Sequence, residues 1–406
     1  MAEENGSNVY EFPNNDNAET GRRGAGAFLR SKKGIILIIC LAVLIVALIV
    51  AAIIIYNVKK SKIVENNDPD VTMLEYPTSA KDACFGILGD TYVIVSDSAV
   101  TGLSKEGVWK WNYEGTFSEG IVNICGERAV VLQSGKNDMI LFTESGFEKR
   151  TSVEGKVLGA GSSGSKLFVT FAYENGEYGV SVYDTANDSM LMYTRKYSSA
   201  YMMSASMSSS GSIICASGAN RDSSGASSVL SFIRNSDGEV YATETEEGTL
   251  YPIVCMSGDT VFAANTDALK LIKRMPSATT QSDKKKTVWE RNGAAEYLIS
   301  IAASKSGAAA VRDKIQTVSS DSIATFYSQD GEVISERRLG MKAEYVRSAG
   351  DRYLICSRDS LMMFSLKGEC LGKYDGAALI KCAEILDPHT AVAMTDAGLY
   401  IIDFGK

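Results

Sequence analysis

Residues 89–115 read GDTYVIVSDSAVTGLSKEGVWKWNYEG. A Gly-Asp turn leads into the apolar run TYVIV, a second run AVTGLS follows, and a turn centred on Gly107 leads into WKWNY. Short apolar runs bounded by Gly, Asp and Ser read as strands, and glycine suits the hairpin positions because they demand positive φ. The same order recurs along the chain. Gly126-Glu127 precedes RAVVL, Gly164-Ser165 precedes KLFVTF, Gly211-Ser212 precedes IICA, and Gly258-Asp259 precedes TVFAA. Gly307 precedes AAAV, Gly350-Asp351 precedes RYLIC, and Asp387-Pro388 precedes TAVAM. Successive turns lie 37, 38, 47, 47, 49, 43 and 37 residues apart. A second turn follows in most units, as at Glu144-Ser145-Gly146, Ser236-Asp237-Gly238, Gln329-Asp330-Gly331 and Leu366-Lys367-Gly368.

Units of four short strands at this spacing are the pattern of β-propeller blades. Eight turns predict an all-β, eight-bladed β-propeller over residues 72–406. A seven-bladed ring and a pair of β-sandwiches are the alternatives, and sandwiches leave the regular spacing unexplained. The last unit stops early, with Leu399 to Phe404 as its third strand. Thr72 to Tyr76, ahead of the first unit, has strand character and is expected to supply the missing fourth strand. That would close the ring and leave no open edge.

Upstream of the repeat, residues 34–56 read GIILIICLAVLIVALIVAAIIIY, where 16 of 23 residues are Ile, Leu or Val and none is charged. As a helix this run spans about 34 Å, enough for a hydrocarbon core of about 30 Å. It predicts one transmembrane helix. A cleaved signal peptide has a shorter apolar stretch and small residues after it, whereas Asn57-Val58-Lys59-Lys60 follows here. Arg22, Arg23, Arg30, Lys32 and Lys33 precede the run, against Lys59, Lys60 and Lys62 after it. The positive-inside rule then puts residues 1–33 in the cytoplasm as a disordered tail. Residues 57–71 form a linker, and the propeller is extracytoplasmic.

A net charge of −8 with no basic stripe argues against nucleic acid as a partner. His389 is the one histidine, so multi-histidine metal sites are excluded and a histidine-based triad has a single possible centre. It lies in Asp387-Pro388-His389-Thr390, a turn pattern. The stretch SSAYMMSASMSSSGS, residues 198–212, lacks a nucleophile elbow and reads as a polar strand and turn. Gln281 to Lys286 reads as an exposed hairpin loop whose three lysines need no partner. Cys40 lies in the apolar run; Cys84, Cys125, Cys255 and Cys382 fall in first strands, Cys215 and Cys356 in second strands, and Cys370 after a hairpin glycine. Without a C-x-x-C pair they read as buried free thiols rather than as a disulfide framework or zinc site.

The stretch 89–115 resembles blades of quinoprotein-like propellers, in which a strand, a Gly-containing hairpin and a tryptophan-bearing outer strand follow in this order. Trp109, Trp111 and Trp289 match the outer-strand position. The layout of short tail, single helix and C-terminal propeller resembles a bacterial membrane-anchored family, number 5711 among domains of unknown function. That resemblance implies a bacterial envelope protein and no chemistry. A quinone cofactor would follow from fold analogy alone, and no convergent acid, amide and aromatic set can be assembled by sequence.

No catalytic, cofactor-binding or metal-ligating residue is assigned. The loop 218–225, joining second and third strands, marks the face expected to carry recognition, with Asn220 to Ser224 at its tip. The expected function is a non-enzymatic binding or scaffold module in the cell envelope, with an envelope protein, peptide or glycan as partner. The alternative is a propeller enzyme, quinone-dependent or a carboxylate-based lyase or hydrolase. Converging Asp, Glu and Arg in the central channel would favour the enzyme, and a channel of Ser, Ala and Cys would favour the scaffold.

Overall fold

The apolar runs become the second strands of the blades. Thr91–Val95, Arg128–Gln133 and Thr260–Ala264 are buried along nearly their whole length. Both faces of each sheet are covered by neighbouring sheets, so these strands read as continuous rather than alternating apolar runs. The outermost strands, such as Trp109–Glu114 with four exposed positions among six, carry the charges.

The computed structural model describes residues 40, 42–51, 69–76, 83–188, 190–221, 224–274, 283–291, 296–314 and 321–405. They form eight four-stranded antiparallel sheets. Blades 1 to 7 are consecutive in sequence and span 84–114, 120–152, 156–197, 200–247, 253–290, 296–338 and 343–375. Blade 8 combines Cys382–Ile385, Thr390–Met394 and Gly398–Asp403 with Asp70–Glu75 from the other end of the repeat. The pairing runs in unbroken register from Asp70 opposite Asp403 to Glu75 opposite Gly398. The ring therefore closes as the sequence predicts, with eight blades and neither seven nor a sandwich pair. The turns also fall where expected: Gly89 has φ +55° and Gly107 φ +84°.

The tail 1–33, most of the run 34–56 and most of the linker 57–71 lie outside the described residues. Cys40 and residues 42–51 of the run are helical and exposed. Among the described residues no helix is long and apolar enough to cross a membrane.

No single core fills the propeller. Each of the eight junctions between neighbouring blades holds its own apolar cluster. Between blades 1 and 2, for example, Val93, Val95, Ala129, Val131 and Phe142 meet. Between blades 8 and 1, Leu74 of the closing strand joins Phe85, Tyr92, Val392 and Leu399. Closure thus also completes one of the eight cores.

Polar groups link the outer strands. Contrary to the sequence reading, Lys284, Lys285 and Lys286 are not in a free loop but open the strand Lys284–Glu290. Alternate residues of an outermost strand face opposite neighbours. Lys284 accordingly pairs with Asp330 at 3.0 Å and Lys286 with Glu332 at 2.5 Å in blade 6. Lys285 turns the other way, to Glu244 at 2.7 Å and to Glu246 in blade 4. Arg274 also pairs with Glu244, and Lys270 reaches Glu246 at 2.6 Å.

Burial works to raise both carboxyls, but these cations outweigh it and hold Glu244 and Glu246 below the usual carboxylate range. A carboxyl with a depressed folded pKa stabilises the fold above its unfolded value, and that stabilisation is lost as pH falls through the folded value. The melting temperature is therefore expected to drop as pH falls below about 4.5, the ordinary glutamate value. In Glu246→Gln that part of the drop should be smaller. Equal pH profiles for variant and wild type in calorimetry would refute the assignment.

Candidate functional site: the central lumen

The first strands of the eight blades contact one another in sequence around the ring, and that of blade 8 contacts that of blade 1. They enclose the axis. Their sequences are rich in small residues: Gly159 to Ser163 in blade 3, Ser204 to Ser206 in blade 4, Ala302 and Ala303 in blade 6. Small side chains let the strands crowd together, and their hydroxyls and thiols satisfy polar groups across the junctions. Ser162 donates to the Ile124 carbonyl at 2.8 Å, Ser163 to that of Ser209 at 2.9 Å and Ser348 to that of Ala303 at 2.7 Å. Ser206 and Ser300 accept from the backbone N–H groups of Met256 and Val346, at 3.1 and 3.2 Å. The Cys84 thiol lies 3.2 Å from the Gly120 carbonyl oxygen, and that of Cys382 lies 3.7 Å from the Ala83 carbonyl oxygen.

Since consecutive strands run antiparallel, first-to-second and third-to-fourth hairpins share one face, here the turn face. The other connections share the opposite face. On the turn face the lumen opens into a cavity of about 720 Å³ to which six blades contribute, including Ser162, Met207, Met256, Lys305, Ser348 and Arg352. Arg352 donates to the Pro388 and Asp351 carbonyls at 2.7 and 3.0 Å. Among the described residues Lys305 has no side-chain partner.

Just inside this mouth, Arg347 of blade 7 lies 3.7 Å from Glu384 of blade 8. Burial pushes the Glu384 carboxyl above its ordinary range, and Arg347 only partly counters it. The side chain is nevertheless 37% exposed. A group both hemmed in by protein and touched by solvent is facing the lumen. Neither residue of this pair stood out from the sequence alone. The signal was present, since the first strands AEYVRSA and CAEI carry charges in positions where other blades have small or apolar residues.

The residues weighed from sequence are scattered. His389 is exposed in its turn, where its backbone N–H and that of Thr390 donate to Asp387 Oδ1 at 2.8 and 2.9 Å. The serine stretch is the strand Ala200–Met207 and a turn in which the Ser208 hydroxyl accepts from the N–H groups of Ser212 and Ile213, both at 3.1 Å. The tryptophans sit on outer strands between blades, away from the lumen. Trp111 stacks on Phe142 at 5.2 Å and donates to the Glu144 carbonyl at 3.0 Å. Trp109 packs on Tyr76 at 5.6 Å, and Arg312 lies 5.6 Å over Trp289. All eight cysteines are free. Burial raises the thiols of Cys84 and Cys370 to about 11, and those of Cys125, Cys255 and Cys356 to about 12. Cys215 and Cys382 are pushed up as well, for the same reason. Their first-strand positions are not equivalent, for Cys84 opens its strand and Cys125 ends its own. Loop 218–225, described except for 222 and 223, borders a cleft of about 480 Å³ confined to blade 4, on the face opposite the central mouth.

Comparison with known proteins bears on the fold. No curated protein sequence matches the chain. Among solved structures, Sqt1 of Saccharomyces cerevisiae is 9% identical, with a TM-score of 0.56, covering 84% of this chain and 99% of its own. Sqt1 of Chaetomium thermophilum bound to the N-terminus of ribosomal protein L10 is 10% identical, with a TM-score of 0.55, covering 84% and 100%. BamB of Moraxella catarrhalis is 13% identical, with a TM-score of 0.49, covering 82% and 97%. A family profile matches residues 71–403, from the closing strand to the last strand of blade 8. With its eight blades and that match, the chain belongs to the family of unknown function DUF5711.

Proposed function

We propose that this protein is a membrane-anchored, non-enzymatic binding module of the bacterial cell envelope, whose propeller docks another protein or peptide over the central mouth. The observation that carries this reading is the state of the lumen. Ser162, Ser163, Ser206, Ser300 and Ser348, with the thiols of Cys84 and Cys382, are occupied in joining blade to blade, so they hold the ring together rather than await a reaction. Only Arg347 and Glu384 bring opposite charges together there among the described residues. The mouth draws on six blades and offers polar side chains and a free lysine, whereas the cleft beside Asn220 draws on one. That a propeller of this shape takes the N-terminus of another protein, as Sqt1 does with L10, adds support. The uncharged run 34–56 and the cations before it support anchoring with the N-terminus in the cytoplasm.

Site-specific photocrosslinking in intact cells tests the reading. A crosslinker at Lys305 is expected to capture a reproducible envelope protein, and one at Asn220 to capture it far less. Capture at Asn220 alone would return recognition to the opposite face. No capture at either position, together with a small molecule turned over by the purified chain, would replace the scaffold with an enzyme.

A further inference from the structure

Arg347 carries five N–H donors on a guanidinium that is always charged. Its nearest carboxylate, Glu384, is 3.7 Å away, too far for a hydrogen bond. One face of the guanidinium lies over the Tyr345 ring, 5.5 Å from its centroid. The Tyr345 hydroxyl is buried and directed at the Cys356 thiol, so the tyrosine supports the guanidinium by its ring alone. Tyr345 and Arg347 are two residues apart on one strand, so their side chains share a face. The Arg347 side chain is 54% exposed, one residue inward from Ser348 at the mouth cavity. Elsewhere in the chain the partly buried arginines are bonded: Arg312 to two carboxylates, Arg128 to a carboxylate and a carbonyl. Arg347 alone faces the lumen with its fork unused among the described residues. A planar fork of donors fits the oxygens of an oxyanion better than any other common ligand.

We propose that the lumen at blades 7 and 8 binds a small oxyanion, a carboxylate or its inorganic equivalent, on the Arg347 guanidinium. Glu384 limits the affinity by its charge. The site needs no partner protein, so it stands or falls separately from docking over the mouth.

The full chain in detergent is titrated with sodium acetate and with sodium phosphate, with sodium chloride at equal ionic strength as the reference. Melting temperature and equilibrium dialysis with radiolabelled probe are read. Saturable 1:1 binding of at least one probe is expected, weakened about tenfold or more in Arg347→Met. Glu384→Gln, which removes the competing charge and adds an amide donor, should tighten it. Acetate binding assigns an organic carboxylate, and binding of phosphate alone assigns an inorganic anion. If Arg347→Met does not fold, Arg347→Lys keeps the charge, loses the fork and should still bind more weakly. No saturable binding of either probe up to about 10 mM, an affinity too weak to matter, overturns the proposal. So does binding that the Arg347 and Glu384 variants leave unchanged.

Discussion

Gly398→Ala opens the ring. Gly398 begins the third strand of blade 8 opposite Glu75, with φ +155°. A Cβ there would collide with the Leu74 carbonyl oxygen and lie 2.9 Å from the Tyr76 nitrogen. Both atoms belong to backbone, so no side chain can swing aside. Relief requires the closing strand to back away, which breaks its ladder and withdraws Leu74 from the apolar cluster between blades 8 and 1. Strain and overpacking of this kind cost about 3 kcal/mol, which lowers the melting temperature by roughly 5 °C or more. A detached closing strand also leaves an unpaired edge, and unpaired edges recruit other chains. Size-exclusion chromatography should therefore show oligomers in the variant that are absent from wild type. Gly225→Ala is the control, since among the described residues no atom beyond its chain neighbours lies within 4 Å of the added carbon. A variant at position 398 with wild-type melting and elution would show that closure tolerates a displaced strand.

Arg312→Met carries the second large effect, at the junction of blades 5 and 6. Arg312 is 7% exposed, on the second strand of blade 6. It pairs with Glu296 at 2.7 Å and Glu336 at 2.8 Å, donates to Thr325 Oγ1 at 2.8 Å, and lies against Trp289 of blade 5. Methionine keeps much of the packing but leaves two partly buried carboxylates without their cation. Breaking a fully buried pair costs about 3–5 kcal/mol, and the partial exposure of the two glutamates lowers this to about 2–3 kcal/mol. The denaturation midpoint should fall accordingly. Adding Glu336→Gln to Arg312→Met should restore part of the loss, because one stranded charge is removed. A double-mutant cycle giving no coupling between 312 and 336 would show that the loss arises from packing on Trp289 alone.

Much of the fold was legible because its signals are local. A turn glycine needs positive φ wherever it stands, and a strand covered on both faces needs apolar residues throughout. The eight turns, the outer-strand tryptophans, the turn around His389 and the closing strand near Thr72 all rest on such local demands. The lysines at 284–286 were misread because their partners, Glu244, Glu246, Asp330 and Glu332, lie about 40 residues away on either side. A run of charge looks solvated until the neighbouring blades are in place.

The lumen shows the same division. The sequence offered two alternatives for it, a channel of Ser, Ala and Cys or a converging set of Asp, Glu and Arg, without choosing between them. It did not show that the hydroxyls and thiols bridge adjacent blades, since each bond joins residues some 35 to 50 positions apart, or nearly the whole chain in the case of Cys382 and Ala83. Nor did it bring together Arg347 and Glu384, on different strands. By itself the sequence determined that the chain carries a long uncharged apolar run and eight four-stranded units closed by an N-terminal strand, because periodicity and turn chemistry act over a few residues. Only the tertiary structure decided which polar groups serve the ring and which remain free to meet a ligand, because that depends on which blade stands beside which.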